Sequence, residues 1–333
     1  VALAEGAQPM IDAELKRIAA LVDGEIRASL AGAGGGSDLY RAALHLPMQG
    51  GKRMRPFLVI KSCEAVGGRA EDALSAAAAI EVLHNFTLVH DDIMDNDLLR
   101  RGAPTVHTLW GVPTAILAGD LLFAKAFSLI LSSGAECARV RRSAEVLARA
   151  TVTLSEGQRM DMSFEDREEV TEEEYFEMVY RKTGALIEAS ATIGGIIGGG
   201  GEAEIGALAE YGASTGTAFQ IYDDYLGISS RGEVLGKLVG NDIRAGKKTL
   251  IVIKALQTPA RGGVLRLLGK RDASDSEISS LVRALEENGV LDYVRAKASS
   301  LTERALGALS RLRPSPARKA LEELALYTIS REK

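Results

Sequence analysis

His84-Asn-Phe-Thr-Leu-Val-His-Asp-Asp-Ile-Met-Asp-Asn-Asp97 carries two patterns with the period of a helix. At about 3.6 residues per turn, Asp91 and Asp95 share one face, and His84 and Thr87 continue that stripe. Val82, Phe86, Val89 and Ile93 fall on the other side. The segment reads as a helix with an apolar flank and a row of metal-binding groups. Two carboxylates one turn apart repel each other unless a cation lies between them. Mg²⁺ suits such oxygens, keeps several waters and is usually completed by substrate phosphates. Taken alone, D-D-x-x-D also fits a solvated acidic surface. The D-x-D-x-D-G spacing of a calcium loop is absent.

The surrounding chain is read as helical too. Ala (48) and Leu (41) dominate its 333 residues and aromatics are 5%, which favours helices over sheets. No proline interrupts the stretch between Pro113 and Pro259, so several long helices fit there. The 3–4 spacing of apolar residues places helices at 9–31, from 37, and at 55–66, 71–99, 112–133, 135–157, 171–197, 203–227, 248–257, 275–287, 291–311 and 315–330. Gly194–Gly201 reads as a helix end and turn, since it lacks the G-x-G-x-x-G spacing of a phosphate loop. With no long linker and no internal repeat, the expectation is an all-α fold in a single domain spanning 1–333.

Hydrophobic residues are 46% and charged residues 26%, which excludes a disordered chain, a collagen and a disulfide scaffold. A net charge of −5 argues against nucleic acid as a partner. Cys63 and Cys137 read as reduced, mostly buried thiols of a cytoplasmic protein. The charged N-terminal stretch does not read as a signal peptide, and no transmembrane helix or stable membrane insertion is expected.

A second acidic pair, Asp223-Asp224, lies in the helical pattern Phe219–Gly227, with Gln220 three residues before Asp223. Two such helices facing each other would hold several divalent ions. Basic groups come in short separate motifs: Gly50-Gly-Lys-Arg-Met-Arg-Pro56, Arg100-Arg101, Lys182-Thr183, Gly236-Lys237 and Gly246-Lys247-Lys248-Thr249. Each alone is ordinary surface charge. Together with Mg²⁺ on carboxylates they make a diphosphate site.

In these five ordered motifs (GGKRMRP at 50–56, LVHDDIMDNDLLRRGAPTVH at 88–107, KTGALI at 182–187, FQIYDDYLG at 219–227 and GKLVGNDIRAGKKTL at 236–250) the sequence resembles the trans-isoprenyl diphosphate synthases, the polyprenyl synthetase family. The resemblance covers nearly the whole chain. It implies a bundle of mostly antiparallel helices around a deep central cavity, a homodimer, and head-to-tail 1′-4 condensation of isopentenyl diphosphate with an allylic diphosphate (dimethylallyl, geranyl or farnesyl). It also implies about three Mg²⁺ ions, with Asp91, Asp95 and Asp223 as ligands and Asp92 and Asp224 beside them. By the same resemblance Arg100 grips the allylic diphosphate with Lys182 and Lys237. Lys52, Arg55, His84 and Arg101 form the pocket for isopentenyl diphosphate. Thr183 and Gln220 lie beside the forming cation, and Lys247 lies near the second acidic motif.

The chain departs from the family pattern at Gly227, where the third carboxylate of the second motif commonly stands, and at Leu238, where the familiar proline is absent. A class I terpene cyclase would not need GGKRMRP or Arg101. A non-catalytic subunit would commonly lose acidic-motif residues, whereas Asp91, Asp92 and Asp95 are intact. The resemblance further implies a short product, geranylgeranyl diphosphate (C20) with farnesyl diphosphate (C15) as the alternative. Phe86 and Thr87 precede the first motif at the positions that close the cavity floor in the family. Helix geometry puts Phe86 about 140° from Asp91, with Thr87 more directly on the carboxylate face.

Overall fold

A computed structural model describes residues 7–31, 36–229 and 239–330. The all-α expectation holds: among the described residues the strands are confined to β1 (Leu99–Arg100) and β2 (Ala103–Pro104), paired antiparallel. The helices in chain order are α1 (Ala7–Leu30), α2 (Asp38–His45), α3 (Met54–Ala65), α4 (Ala70–Met94), α5 (Val106–Leu131), α6 (Cys137–Glu165), α7 (Glu172–Val179), α8 (Ala185–Ile197), α9 (Glu202–Ser229), α10 (Asn241–Ala245), α11 (Leu250–Ala255), α12 (Arg261–Leu267), α13 (Asp275–Glu287), α14 (Val290–Leu309) and α15 (Pro316–Ser330). Most fall where the apolar spacing puts them. Helices α10 and α12 do not, because five and seven residues are too few to show a period.

Helix α4 positions the first acidic motif. Glu71 and Asp72 in its first turn favour the helix dipole. Ala76, Ala77, Ala78 and Ala79 are fully buried, so small side chains let α4 run through the interior. The helix stops at Met94 rather than at 99. Asp95 caps it, and Asn96 turns the chain with φ 54°, a conformation Asn tolerates better than most residues. The expected continuation to 99 is instead the turn into β1.

Two apolar cores share the long helix α9. Ala207, Leu208 and Tyr211 pack with α1, α3–α5 and α8, whereas Ile221 and Ile228 pack with α7, α11, α13 and α14. The second acidic motif therefore lies on a helix anchored at both ends.

The 171–197 pattern is not one uniform helix. A π turn at Tyr180–Gly184 separates α7 from α8. A capping box starts α7: Glu174 N–H donates to Thr171 Oγ1 and Thr171 N–H donates to the Glu174 carboxylate.

One expectation needs correcting. Cys63 is buried but Cys137 is exposed at the first turn of α6, where it faces outward. Helix α5 is long and apolar enough to cross a membrane by length and composition alone. Gly111, with φ 78°, and Pro113 kink it. Ala115, Ala118, Leu122 and Ala126 are buried against the first core.

An ion-pair cluster ties α1 to α3: Lys61 Nζ lies 2.7 Å from both Glu14 and Glu64, and Arg17 also holds Glu14. The Arg17 hydrogen bond, with help from Lys61, lowers the Glu14 carboxyl to about 2 against the cost of burial. A depressed folded-state pKa contributes stability above the unfolded value and loses it as pH falls. Glu14→Gln is expected to lower unfolding free energy by about 1–2 kcal/mol near neutrality. That difference should shrink between about pH 4.5 and pH 2, as read by denaturant titration at several pH values.

Candidate active site

The second acidic motif opens onto a cavity of about 470 Å³. Lys182, Thr183, Gln220, Asp223, Asp224 and Lys247 line it, as do Asp161, Tyr175 and Asp242. The π turn delivers Lys182 and Thr183. It sits against α6, where Gly157 lets the backbone approach so closely that a Cβ there would sit 2.3 Å from Lys182 N. Lys182 Nζ pairs with Asp161 at 2.5 Å. Thr183 Oγ1 donates to Gln220 Oε1 at 3.1 Å, and Gln220 Nε2 donates to Asp224 Oδ1 at 3.0 Å.

Asp224 also accepts the Tyr175 hydroxyl at 2.7 Å, so both its oxygens are engaged. Burial, then Asp242, raise its carboxyl to about 7 despite those two hydrogen bonds. Burial works against the charge of Lys247, but Asp242, Asp161, Asp95 and Asp91 outweigh it and hold the ammonium above its ordinary value. Asp95 is raised by burial and by Asp91, and drawn back by Lys247 and Lys182. Asp95 thus acts on the two lysines that line the cavity beside Asp223 and Asp224.

In the first motif Asp92 is the buried member. It accepts from Arg100 Nε, and its other oxygen has no protein partner. Burial raises it in spite of Arg100. Arg100 reaches Asp97 at 3.6 Å and Asp91 at 4.0 Å as well, so it is an arginine held by carboxylates. No three acidic or histidine side chains among the described residues converge tightly enough to close a metal site alone. Asp91, Asp95 and Asp223 offer the hard carboxylate oxygens that suit Mg²⁺, which takes one or two carboxylates and leaves the remaining positions to water and phosphate.

The remaining basic residues gather elsewhere. Arg55, Arg101, Arg100 and Arg53 all add to burial in pushing the His84 imidazole well below its usual range, so His84 stands neutral among guanidiniums. Arg55 is lowered by burial and by Arg101, with Glu81 and Asp223 opposing, and its buried Nε has no partner. Lys52 lies over the Tyr327 ring, 5.0 Å from its centroid. Lys237 lies outside the described residues. Thr87 turns its hydroxyl back to the His84 carbonyl at 2.8 Å. Phe86 packs edge-on against His90 and beside Phe123, with centroids 4.9 and 5.4 Å away, and is not among the residues lining the 470 Å³ cavity.

Residues 37–285 match the polyprenyl synthetase family model. The chain belongs to that family. It is 49% identical to a geranylgeranyl pyrophosphate synthase of Geoglobus acetivorans over 294 residues, 88% of this chain and 91% of the relative. It is 42% identical to a geranylfarnesyl diphosphate synthase of Aeropyrum pernix over 82% of this chain and 87% of that one. The crystal structure of geranylgeranyl pyrophosphate synthetase from Pyrococcus horikoshii superposes with a TM-score of 0.92 at 44% identity, covering 97% of this chain and 99% of that one.

Sequence reading missed Asp161, Tyr175 and Asp242. Asp161 follows Gly157 by one turn of α6, and a glycine in mid-helix was the available signal. Gly157→Ala is expected to cost about 1–3 kcal/mol in stability and to lower activity by displacing Lys182 and Thr183. Paired thermal melts and turnover measurements check it. An alanine that leaves both unchanged would show that the π turn does not depend on this contact.

Proposed function

We propose that this protein is a Mg²⁺-dependent prenyltransferase that condenses isopentenyl diphosphate with an allylic diphosphate, head to tail, to make geranylgeranyl diphosphate. The observation that carries this reading is the cavity that Asp223, Asp224, Lys182 and Lys247 line, with Asp95 acting on the same two lysines, together with the arginines that surround His84. Two anionic substrates need two cationic sites, and these two groups of basic residues support that reading.

The allylic diphosphate is assigned to the acidic motifs. About three Mg²⁺ ions, held by Asp91, Asp95 and Asp223, would supply Lewis-acid stabilisation of the leaving diphosphate. Lys182 is pre-positioned by Asp161, and Lys247 is kept charged by the surrounding carboxylates, so both stand ready to meet negative charge. Arg100 and Lys237 complete that assignment. Thr183 and Gln220 present oxygen dipoles to the allylic carbon as positive charge develops. Isopentenyl diphosphate is assigned to Lys52, Arg55, His84 and Arg101. A neutral His84 keeps one N–H to donate there and adds no further positive charge to the arginines around it. The departed diphosphate is positioned to take the proton released at the end, so no protein base is required.

The protein is read as a cytoplasmic homodimer. Leu109, Val112, Ile116 and Phe123 form an exposed apolar stripe on α5, the kind of surface an apolar subunit contact covers.

Incubation with Mg²⁺, isopentenyl diphosphate and each allylic diphosphate in turn, followed by product-length analysis, tests the reading. EDTA should abolish turnover and Mg²⁺ restore it. Asp91→Ala or Asp223→Ala should lower kcat about a hundredfold or more, whereas Lys52→Ala should chiefly raise KM for isopentenyl diphosphate. Full activity in excess chelator would overturn the assignment.

Product length is tied to Phe86. Phe86→Ala removes a ring from the Phe86–Phe123–Phe127 stack and is expected to lengthen the product by one or more five-carbon units. Chromatography of the dephosphorylated products reads this directly. An unchanged distribution would remove Phe86 from the chain-length role and leave the enzyme class intact.

A further inference from the structure

The motif Gly50–Pro56 contains one basic residue that the substrate assignments leave unused. Arg53 is fully buried as a side chain, four of its N–H groups donate to protein atoms, and Nη2 also lies against Asp23. Nε and Nη2 hold Asp23 Oδ1 of α1 at 2.9 and 2.8 Å. Nη1 donates to Glu81 Oε1 of α4 at 2.9 Å and to the Gly50 carbonyl at 3.0 Å, and Nη2 donates to the Pro47 carbonyl. With its side chain fully buried and every nitrogen held by protein, it is directed inward and away from a substrate.

Its partners belong to the arginine cluster. The Gly50 carbonyl that accepts from Arg53 also accepts from Arg101 Nη1. Gly51 passes between the two guanidiniums: a Cβ there would lie 3.1 Å from Arg53 Nη1 and 3.2 Å from Arg101 Nη1. Glu81 lies one turn before His84 on α4, and its charge is what keeps Arg55 and Arg101 from falling further under burial. Arg53 itself has φ 50°, a left-handed conformation that costs a non-glycine residue energy and persists only where the surroundings enforce it.

We infer that Arg53 is a positioning residue for the isopentenyl diphosphate pocket: bound to Asp23 and Glu81, it pins the 47–53 loop so that Lys52, Arg55 and Arg101 converge on one anion. This rests on the reading that Lys52, Arg55, His84 and Arg101 take isopentenyl diphosphate. The role needs the geometry of a guanidinium. A lysine ammonium can pair with a carboxylate but cannot span two carboxylates and two carbonyls at once.

The test separates positioning from stability. Arg53→Met alone strands Glu81 as a buried unpaired charge and can unfold the protein. The double variant Arg53→Met/Glu81→Gln removes both fully buried charges and leaves only Asp23, which reaches solvent. Arg53→Lys keeps the charge and loses the fork. In Arg53→Lys and in the double variant, KM for isopentenyl diphosphate should rise roughly tenfold or more. KM for the allylic diphosphate and kcat at saturation should change less than about threefold. Equilibrium dialysis of isopentenyl diphosphate without Mg²⁺ should show the same loss of affinity, independent of turnover. Equal changes in all three kinetic parameters, in proportion to a loss of folded protein seen by circular dichroism, would overturn the inference, as would wild-type affinity in the double variant. A wild-type enzyme that turns over without isopentenyl diphosphate would instead overturn the proposed function, whatever Arg53 does.

Discussion

Charges cannot be gathered out of water unless opposite charges or dipoles sit beside them. The helices of this protein are arranged around that condition. Asp224 is buried in the cavity wall and is met by Tyr175 and Gln220. Lys182 is met by Asp161, Asp92 by Arg100, and Arg53 by Asp23 and Glu81. Tyr175 reaches Asp224 from α7, Asp161 reaches Lys182 from α6, and Asp23 and Glu81 reach Arg53 from α1 and α4. The helix packing is thus also the wiring of the site.

The same condition gives each end of α4 a different character. Its middle is alanine-rich and fully buried, which fixes its position without side-chain freedom. Glu81 and His84 follow that stretch and belong to the arginine cluster, whereas Asp91, Asp92 and Asp95 lie at the C-terminal end of the helix, where Arg100 meets Asp92 and Asp91. About three turns of one helix therefore carry both substrate assignments, and their separation is set by the rise of the helix.

Much of this was legible because it is local. Asp91 and Asp95 share a face by periodicity, the absence of proline over 114–258 allowed long helices, and Gly194–Gly201 read correctly as a helix end. What stayed hidden is what only tertiary packing creates. Asp161 is one carboxylate on a charged helix until Lys182 arrives beside it. Tyr175 looks like core until its hydroxyl meets Asp224. Phe86 reads as a neighbour of the acidic motif, yet its ring turns toward His90 and Phe123. Arg53, between Lys52 and Arg55, looks like a third ligand for phosphate, and only its burial reveals an internal tie.

The π turn at Tyr180–Gly184 bears on how this segment can vary in length. A π turn holds one residue more than an α turn, and it takes up that residue inside a single wide turn. Deleting one residue there would let α7 and α8 run on as one regular helix with each flank near its present face. Leu186, Ile187, Ala191 and Ile193 would stay on the first core. The change would be local, at the wide turn that carries Lys182 and Thr183 past Gly157. As a helix the segment can lose a residue, but the place where it presents these two side chains depends on keeping it.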